Sequence, residues 1–196
     1  MNKQFLLAAR PEGMVRESDF MLVETPIQTP EAGDILVEVQ YMGLEPAMRG
    51  WMENRADYIA PLALGDVMRG FGAGRVSLSN NADYPVGSLV TGSFGWQQYY
   101  LHKVDATALQ RVPEGVSLRA AIGIFGITGM TAWFGLERIG KPTDGDVFVV
   151  SSAAGATGSV AGQLAKIRGC RVVGITSSAT KCEWLTDTLG FDAAVN

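Results

Sequence analysis

The chain has 196 residues, 47% hydrophobic and 18% charged, enough to bury a sizeable core as one large domain or two small ones. A net charge of −4 and a pI near 5.0 argue against a nucleic-acid footprint. Cys170 and Cys182 have neither metal nor redox spacing and His102 is the single histidine. That excludes a Cys/His catalytic zinc before Cys170 and makes a reducing cytoplasm the default.

Taken in order, Lys3 to Ala9 reads as a first strand, turned by Pro11-Glu12-Gly13. Its apolar part, Phe5 to Ala9, is too short for a secretory signal. Phe20 to Pro26 is a second strand. After the turn Glu31 to Asp34, Ile35 to Tyr41 alternates apolar and polar residues as a half-buried strand does. Gly74 to Leu78 and Leu89 to Phe94 are further strands, joined through the turn Asp83 to Gly87. Short strands and frequent glycine turns continue to about residue 115, which predicts a small β-barrel or sandwich.

Near Pro113 the pattern changes. Ser117 is placed to cap a helix from Leu118. Ala120 to Ile139 reads as largely helical, interrupted around Gly123, Gly126 and Gly129, and Gly140-Lys-Pro142 ends it. The uncharged run Ala120 to Leu136 nears the lower limit of about 17 residues for a membrane span. Its glycines and threonines favour a buried helix, so no membrane partner is expected.

Asp146 to Ile167 carries the strongest signal. Asp146 to Val150 is an apolar strand, and Ala153, Gly155 and Gly158 occupy the three positions of a G-x-G-x-x-G turn, with alanine first. A helix follows, with Val160, Leu164 and Ile167 on one face. Arg171 to Thr176 supplies the second strand of a β-α-β unit. The central glycine admits a pyrophosphate to the backbone, and the helix N-terminus favours its charge. The plain alternative is an ordinary glycine-rich strand-to-helix turn. An NAD site usually carries an acid about 20 residues past the glycines. Here the second strand ends in Thr176, Ser177 and Ser178 with Lys181 beyond, which suits the 2′-phosphate of NADP and favours it over NAD; the alternative for Lys181 is a solvated first-turn lysine. Ser178 or Thr180 caps a helix through Leu189, Gly190 ends it, and Phe191 to Val195 begins a third strand. A dinucleotide-binding sheet has two such halves and this chain supplies one. The expectation is a fragment or truncated product of a longer enzyme.

Several segments together resemble the medium-chain dehydrogenase/reductase superfamily, in its zinc-independent prostaglandin reductase and alkenal or curcumin double-bond reductase branch. They are Leu44-Glu-Pro-Ala-Met-Arg-Gly50, Gly123 to Leu136, Ala153 to Gly158, Gly169 to Gly174 with Lys181, and Leu189 to Asp192. Three positions depart. Glu45 stands where aspartate is common, Ala47 replaces a tyrosine that lines the substrate pocket in many relatives, and Thr128 replaces a frequent proline. The resemblance implies an α/β fold: a β-rich GroES-like domain over residues 1–120, and the first part of a Rossmann NADP-binding domain over 121–196.

It also implies zinc-independent reduction, with NADPH, of the C=C bond of an α,β-unsaturated ketone or aldehyde. Ala154, Gly155, Ala156, Thr157 and Gly158 would meet the pyrophosphate, Lys181 the 2′-phosphate, and Thr131 the nicotinamide carboxamide. Met48, Arg49, Tyr58 and Phe71 are candidate substrate contacts. Met48 and Phe71 have core packing as the alternative, and Arg49 the holding of its loop. No catalytic side chain is assigned within the chain, and a homodimer of the longer enzyme is implied. Quinone reduction with the same cofactor is the nearer rival. A non-catalytic nucleotide-binding or interaction module is the more distant one.

Overall fold

The computed structural model describes residues 1–55, 59–107 and 109–196. They form two units, Met1–Ile122 and Gly123–Asn196.

In the first unit β1 (Asn2–Leu7) and β2 (Phe20–Thr25) make an antiparallel ribbon. A five-stranded antiparallel sheet is built from β3 (Ile35–Met42), β4 (Phe71–Ser79), β5 (Leu89–Ser93), β6 (Tyr99–His102) and β7 (Gln110–Arg111), in the order β6-β3-β4-β5-β7. Ile35, Val37, Val76, Val90 and Phe94 close one core between these strands. Gly74 has to be a glycine there, because a Cβ would press on the Glu38 backbone and lie 2.8 Å from Val37 Cγ1. The short helix α1 (Ala47–Trp51) turns Met48 and Trp51 into a second core with Leu7, Met52, Leu62 and Met68. Phe20 stacks on Trp96 beside it, with ring centroids 5.2 Å apart.

Two polar groups tie this unit across long sequence distances. The Asn2 amide donates to Tyr99 O at 2.9 Å and accepts from Tyr99 N–H at 2.9 Å, as a neighbouring strand would. The buried Asp34 accepts from Lys103 Nζ at 2.8 Å and from Val104 N–H at 3.1 Å. Those donors hold its carboxyl below the usual range, the Lys103 bond first, against the opposing effect of desolvation. Helix α2 (Leu118–Ile122) follows, and Ser117 Oγ accepts from Ala120 N–H as the sequence predicts.

In the second unit α3 (Ile127–Phe134) continues as a π-helical turn over Gly135–Gly140. Strands β8 (Val147–Val150), β9 (Arg171–Ile175) and β10 (Ala193–Val195) form a parallel sheet in the order β10-β9-β8. The crossovers are α4 (Ala156–Ile167) and α5 (Ala179–Glu183), the latter extended by a π-helical turn over Trp184–Thr188. Small residues on α4 set its distance from its neighbours: Ala161 and Ala165 are buried, and a Cβ on Gly162 would run into the Phe191 ring. Among the described residues no helix is long and apolar enough to cross a membrane.

Candidate dinucleotide-binding site and the residues around it

The site is built on the turn between β8 and α4. Asp146 prepares its strand by accepting from Thr143 N–H at 2.8 Å and from the Thr143 hydroxyl at 3.0 Å, bonds that lower its carboxyl's pKa. After Val150 the chain turns sharply. Ser152 takes a left-handed φ of 49°, unusual for a residue with a side chain. Its carbonyl accepts from Gly155 N–H at 2.8 Å, and Ala153 N–H donates to Ile175 O of β9 at 3.0 Å.

Gly155 is the N-cap of α4, and Ser159 N–H donates to its carbonyl at 2.9 Å. The N–H groups of Ala156, Thr157 and Gly158 therefore precede the intrahelical ladder at the positive end of a 12-residue helix. Gly155 and Ala156 are exposed, whereas Gly158 is buried. A Cβ on Gly158 would strike the Ser152 carbonyl and come within 2.9 Å of Ala153 Cα. The glycine thus brings the helix start onto the turn, which is the geometry a pyrophosphate needs.

At the neighbouring strand tip Ser178 Oγ accepts from Lys181 N–H at 3.3 Å, which settles the choice of cap. Lys181 Nζ donates to Ser177 Oγ at 3.3 Å. An exposed ammonium group and hydroxyls thus sit at the C-terminal end of β9, with no carboxylate in Thr176 to Lys181. Because β8 and β9 run parallel, the glycine turn and the Ser177–Lys181 pair share one sheet edge. Donors for a pyrophosphate and a cation for a further phosphate are both present, so these residues fit NADP.

Thr131 lies on α3, exposed, and its hydroxyl donates to Ile127 O at 2.7 Å. In the first unit Met48 is buried among Leu7, Trp51, Met52 and Met68. Arg49 donates to the carbonyls of Pro11 at 3.1 Å and Gly13 at 3.2 Å, and pairs with Glu53 at 3.0 Å. Phe71 is 39% exposed at the start of β4. Tyr58 lies outside the described residues. Among the described residues no group of His, Cys, Asp and Glu is arranged to hold a metal ion.

Sequence reading passed over Arg10. Its guanidinium donates to Met52 O at 2.6 Å and to Leu62 O at 2.8 Å. Leu62 N–H donates to Trp51 O at 3.2 Å beside it. These bonds close the neck of the loop after α1. A recess of about 300 Å³ lies between that loop and α1, lined by Ala47, Gly50, Trp51, Ile59 and Pro61 among others.

Residues 3–112 match the family model described as the N-terminal domain of oxidoreductase. The chain is 39% identical over 196 residues to the NADPH-dependent curcumin reductase of Escherichia coli, covering all of this chain and 56% of that protein. It is 34% identical over 199 residues to the NADP(+)-dependent 2-alkenal reductase of Nicotiana tabacum, covering 100% of this chain and 58% of that protein. The structure of CurA from Vibrio vulnificus in complex with NADPH superposes with a TM-score of 0.90 at 38% identity, over 99% of this chain and 57% of that one. The chain thus spans little more than half the length of these relatives. With the glycine turn, the β-rich first unit and the parallel sheet of the second, these likenesses show that the chain belongs to the medium-chain dehydrogenase/reductase superfamily, in its zinc-independent double-bond reductase branch.

Proposed function

We propose that the protein carrying this chain reduces, with NADPH and without zinc, the C=C bond of α,β-unsaturated ketones or aldehydes. The observation that carries the reading is the meeting, at one sheet edge, of the α4 N-terminus with the Ser177–Lys181 pair. The likeness to NADPH-dependent curcumin and alkenal reductases supports it. In this reading residues 121–196 hold the cofactor and residues 1–120 face the substrate.

When bound, the reduced nicotinamide supplies the hydride taken up at the β carbon of the substrate. The protein's own part is binding and orientation. Ala154 to Gly158 hold the pyrophosphate through backbone N–H groups. Lys181 and Ser177 hold the 2′-phosphate. Thr131, whose hydroxyl proton is committed to Ile127 O, offers its oxygen as an acceptor to the carboxamide. Met48, Arg49, Tyr58 and Phe71 belong to the substrate side, Met48 and Arg49 through the core and the loop contacts they make. The α carbon takes a proton, and hydrogen-bond donors stabilise the enolate oxygen in place of a metal. A cytoplasmic homodimer is the expected form.

Calorimetric titration with NADPH and NADH is the first test, followed by an enone and quinone screen. Binding of NADPH in strong preference to NADH is expected, with enones reduced faster than quinones. Absence of NADPH binding would leave a nucleotide-free interaction module instead. Faster turnover of quinones would make the protein a quinone reductase.

A further inference from the structure

Helices α3 and α4 end at the same edge of the parallel sheet. α3 and its π-helical turn lead into β8, α4 leads into β9, and these strands begin side by side, with Val147 paired to Arg171. The N-terminal ends of both helices therefore face the opposite edge, where the glycine turn lies. α3 packs along α4, and Ala132 of α3 belongs to one core with Ala161 and Ala165 of α4. Small side chains let two helices come close but interlock little, so they fix the separation better than the relative rotation.

Arg168 supplies a directional contact that the alanines do not. It caps the C-terminal end of α4, where the helix dipole favours a cation. Its guanidinium pairs with the Glu137 carboxylate of the π-helical turn, and its Cζ lies 5.8 Å from the centroid of the Trp133 ring on α3. Trp133 and Glu137 are four residues apart and present one side of their helix to it. Both charged side chains are partly shielded from solvent. An exposed ion pair by itself contributes little to stability, but a planar guanidinium held by a carboxylate and a ring together fixes direction as well as distance. Thr131 stands two residues before Trp133 on α3. How α3 lies on α4 therefore sets where the Thr131 hydroxyl stands relative to the start of α4.

We propose that Arg168 is a positioning residue. Held by Glu137 and Trp133, it fixes α3 against α4, and so spaces the carboxamide contact at Thr131 from the pyrophosphate donors of Ala156 to Gly158. The proposal rests on the NADPH reading above. It makes the far ends of two helices a determinant of how the nicotinamide is held, while the 2′-phosphate contacts of Lys181 and Ser177 are left alone.

The test compares NADPH with adenosine 2′,5′-bisphosphate by calorimetry on the full-length protein. The second ligand carries the 2′-phosphate and a 5′-phosphate but no nicotinamide. Arg168→Met should weaken NADPH about fivefold and change the bisphosphate by less than about twofold. Arg168→Lys should fall between Arg168→Met and the parent, because it keeps the charge and loses the planar fork. In a Thr131→Val background, Arg168→Met should weaken NADPH further by less than about twofold, since the contact it positions is already gone. Equal weakening of both ligands, no weakening of NADPH, or full additivity with Thr131→Val would overturn the proposal. If Arg168→Met does not fold, Glu137→Gln, which keeps the shape and removes the charge, decides in its place.

Hydrogen exchange of the ligand-free protein separates this proposal from the reading beneath it. Arg168→Met should speed exchange over Thr128 to Trp133 and leave β9 unchanged. A parent that binds neither ligand removes the NADPH reading, and exchange then decides whether Arg168 braces α3: faster exchange confined to α3 keeps the brace, and unchanged exchange removes it. A parent that binds both ligands, with neither NADPH affinity nor exchange altered by Arg168→Met, removes the proposal and keeps the reading.

Discussion

The Ala153 methyl group fills the space that a side chain on Gly174 would need: a Cβ there would lie 2.9 Å from it. Ala153 stands where a dinucleotide fingerprint usually has its first glycine, and Gly174 lies opposite on β9. Leu185 at 2.8 Å and Phe191 at 3.0 Å close the same gap. Gly174→Ala should therefore overpack the core of the second unit around Ala153, Leu185 and Phe191 and cost about 1–3 kcal/mol. Ala153→Gly in the same chain should recover part of that loss. Urea midpoints of the two single variants and the double variant check it, and strict additivity would show that the two sites do not share the space.

Lys181→Ala should weaken NADPH binding about tenfold or more and leave NADH binding within about twofold, because one charge-assisted contact to the 2′-phosphate is lost. Ser177→Ala should have a smaller effect of the same sign. Equal weakening for both dinucleotides would remove Lys181 from the phosphate site.

His102 is 4% exposed, and its Nδ1 has no hydrogen-bond partner among the described residues. The rings of Tyr84 and Tyr100 flank it. Burial lowers its pKa below the ordinary value of 6.5, and the nearby Asp34 carboxylate opposes that only in part. The unfolded chain therefore binds a proton before the folded one does. The contribution of neutral His102 is fully present above pH 6.5 and is lost as the pH falls from there through the lowered folded value. His102→Phe should flatten the pH dependence of the urea midpoint across that range. An unchanged slope would place the acid sensitivity elsewhere.

Asn2→Ala should cost about 1–3 kcal/mol, since it leaves the Tyr99 N–H and carbonyl unpaired at the edge of β6. Asn2→Asp keeps the acceptor and loses the donor, so it should be intermediate in thermal unfolding. A neutral Asn2→Ala would mean that water replaces both bonds.

The strands and crossovers of the second unit were legible because apolar runs, glycines and caps lie in consecutive positions. The breaks around Gly123 and Gly126 fall where the sequence places them, between α2 and α3. In the first unit β1 ends at Leu7 rather than Ala9, because the Ala8 and Ala9 N–H groups turn to Asp19 O. The sequence reading named neither α1 nor β6. Five residues of α1 are too few for a periodicity, and Tyr99-Tyr-Leu-His102 has no alternation to mark it. The least legible contacts are those of Arg10 and Asn2, which meet partners 42 to 97 residues away and leave no local signature. The candidate phosphate-binding residues could be placed in the fold because they sit on one turn and one strand tip. The recess could not, because its neck is closed by an arginine from another part of the chain.

Ser152 gives the glycine turn a property that the fingerprint does not state. One peptide carbonyl both anchors the turn, through Gly155 N–H, and marks the boundary that a side chain at position 158 cannot cross. Rotating that peptide plane and adding a methyl group to Gly158 are the same disturbance approached from two sides. Ser152→Gly would relieve the left-handed backbone and loosen that plane at once, so local comfort and a firm turn pull in opposite directions. The serine keeps the turn stiff at the expense of its own backbone.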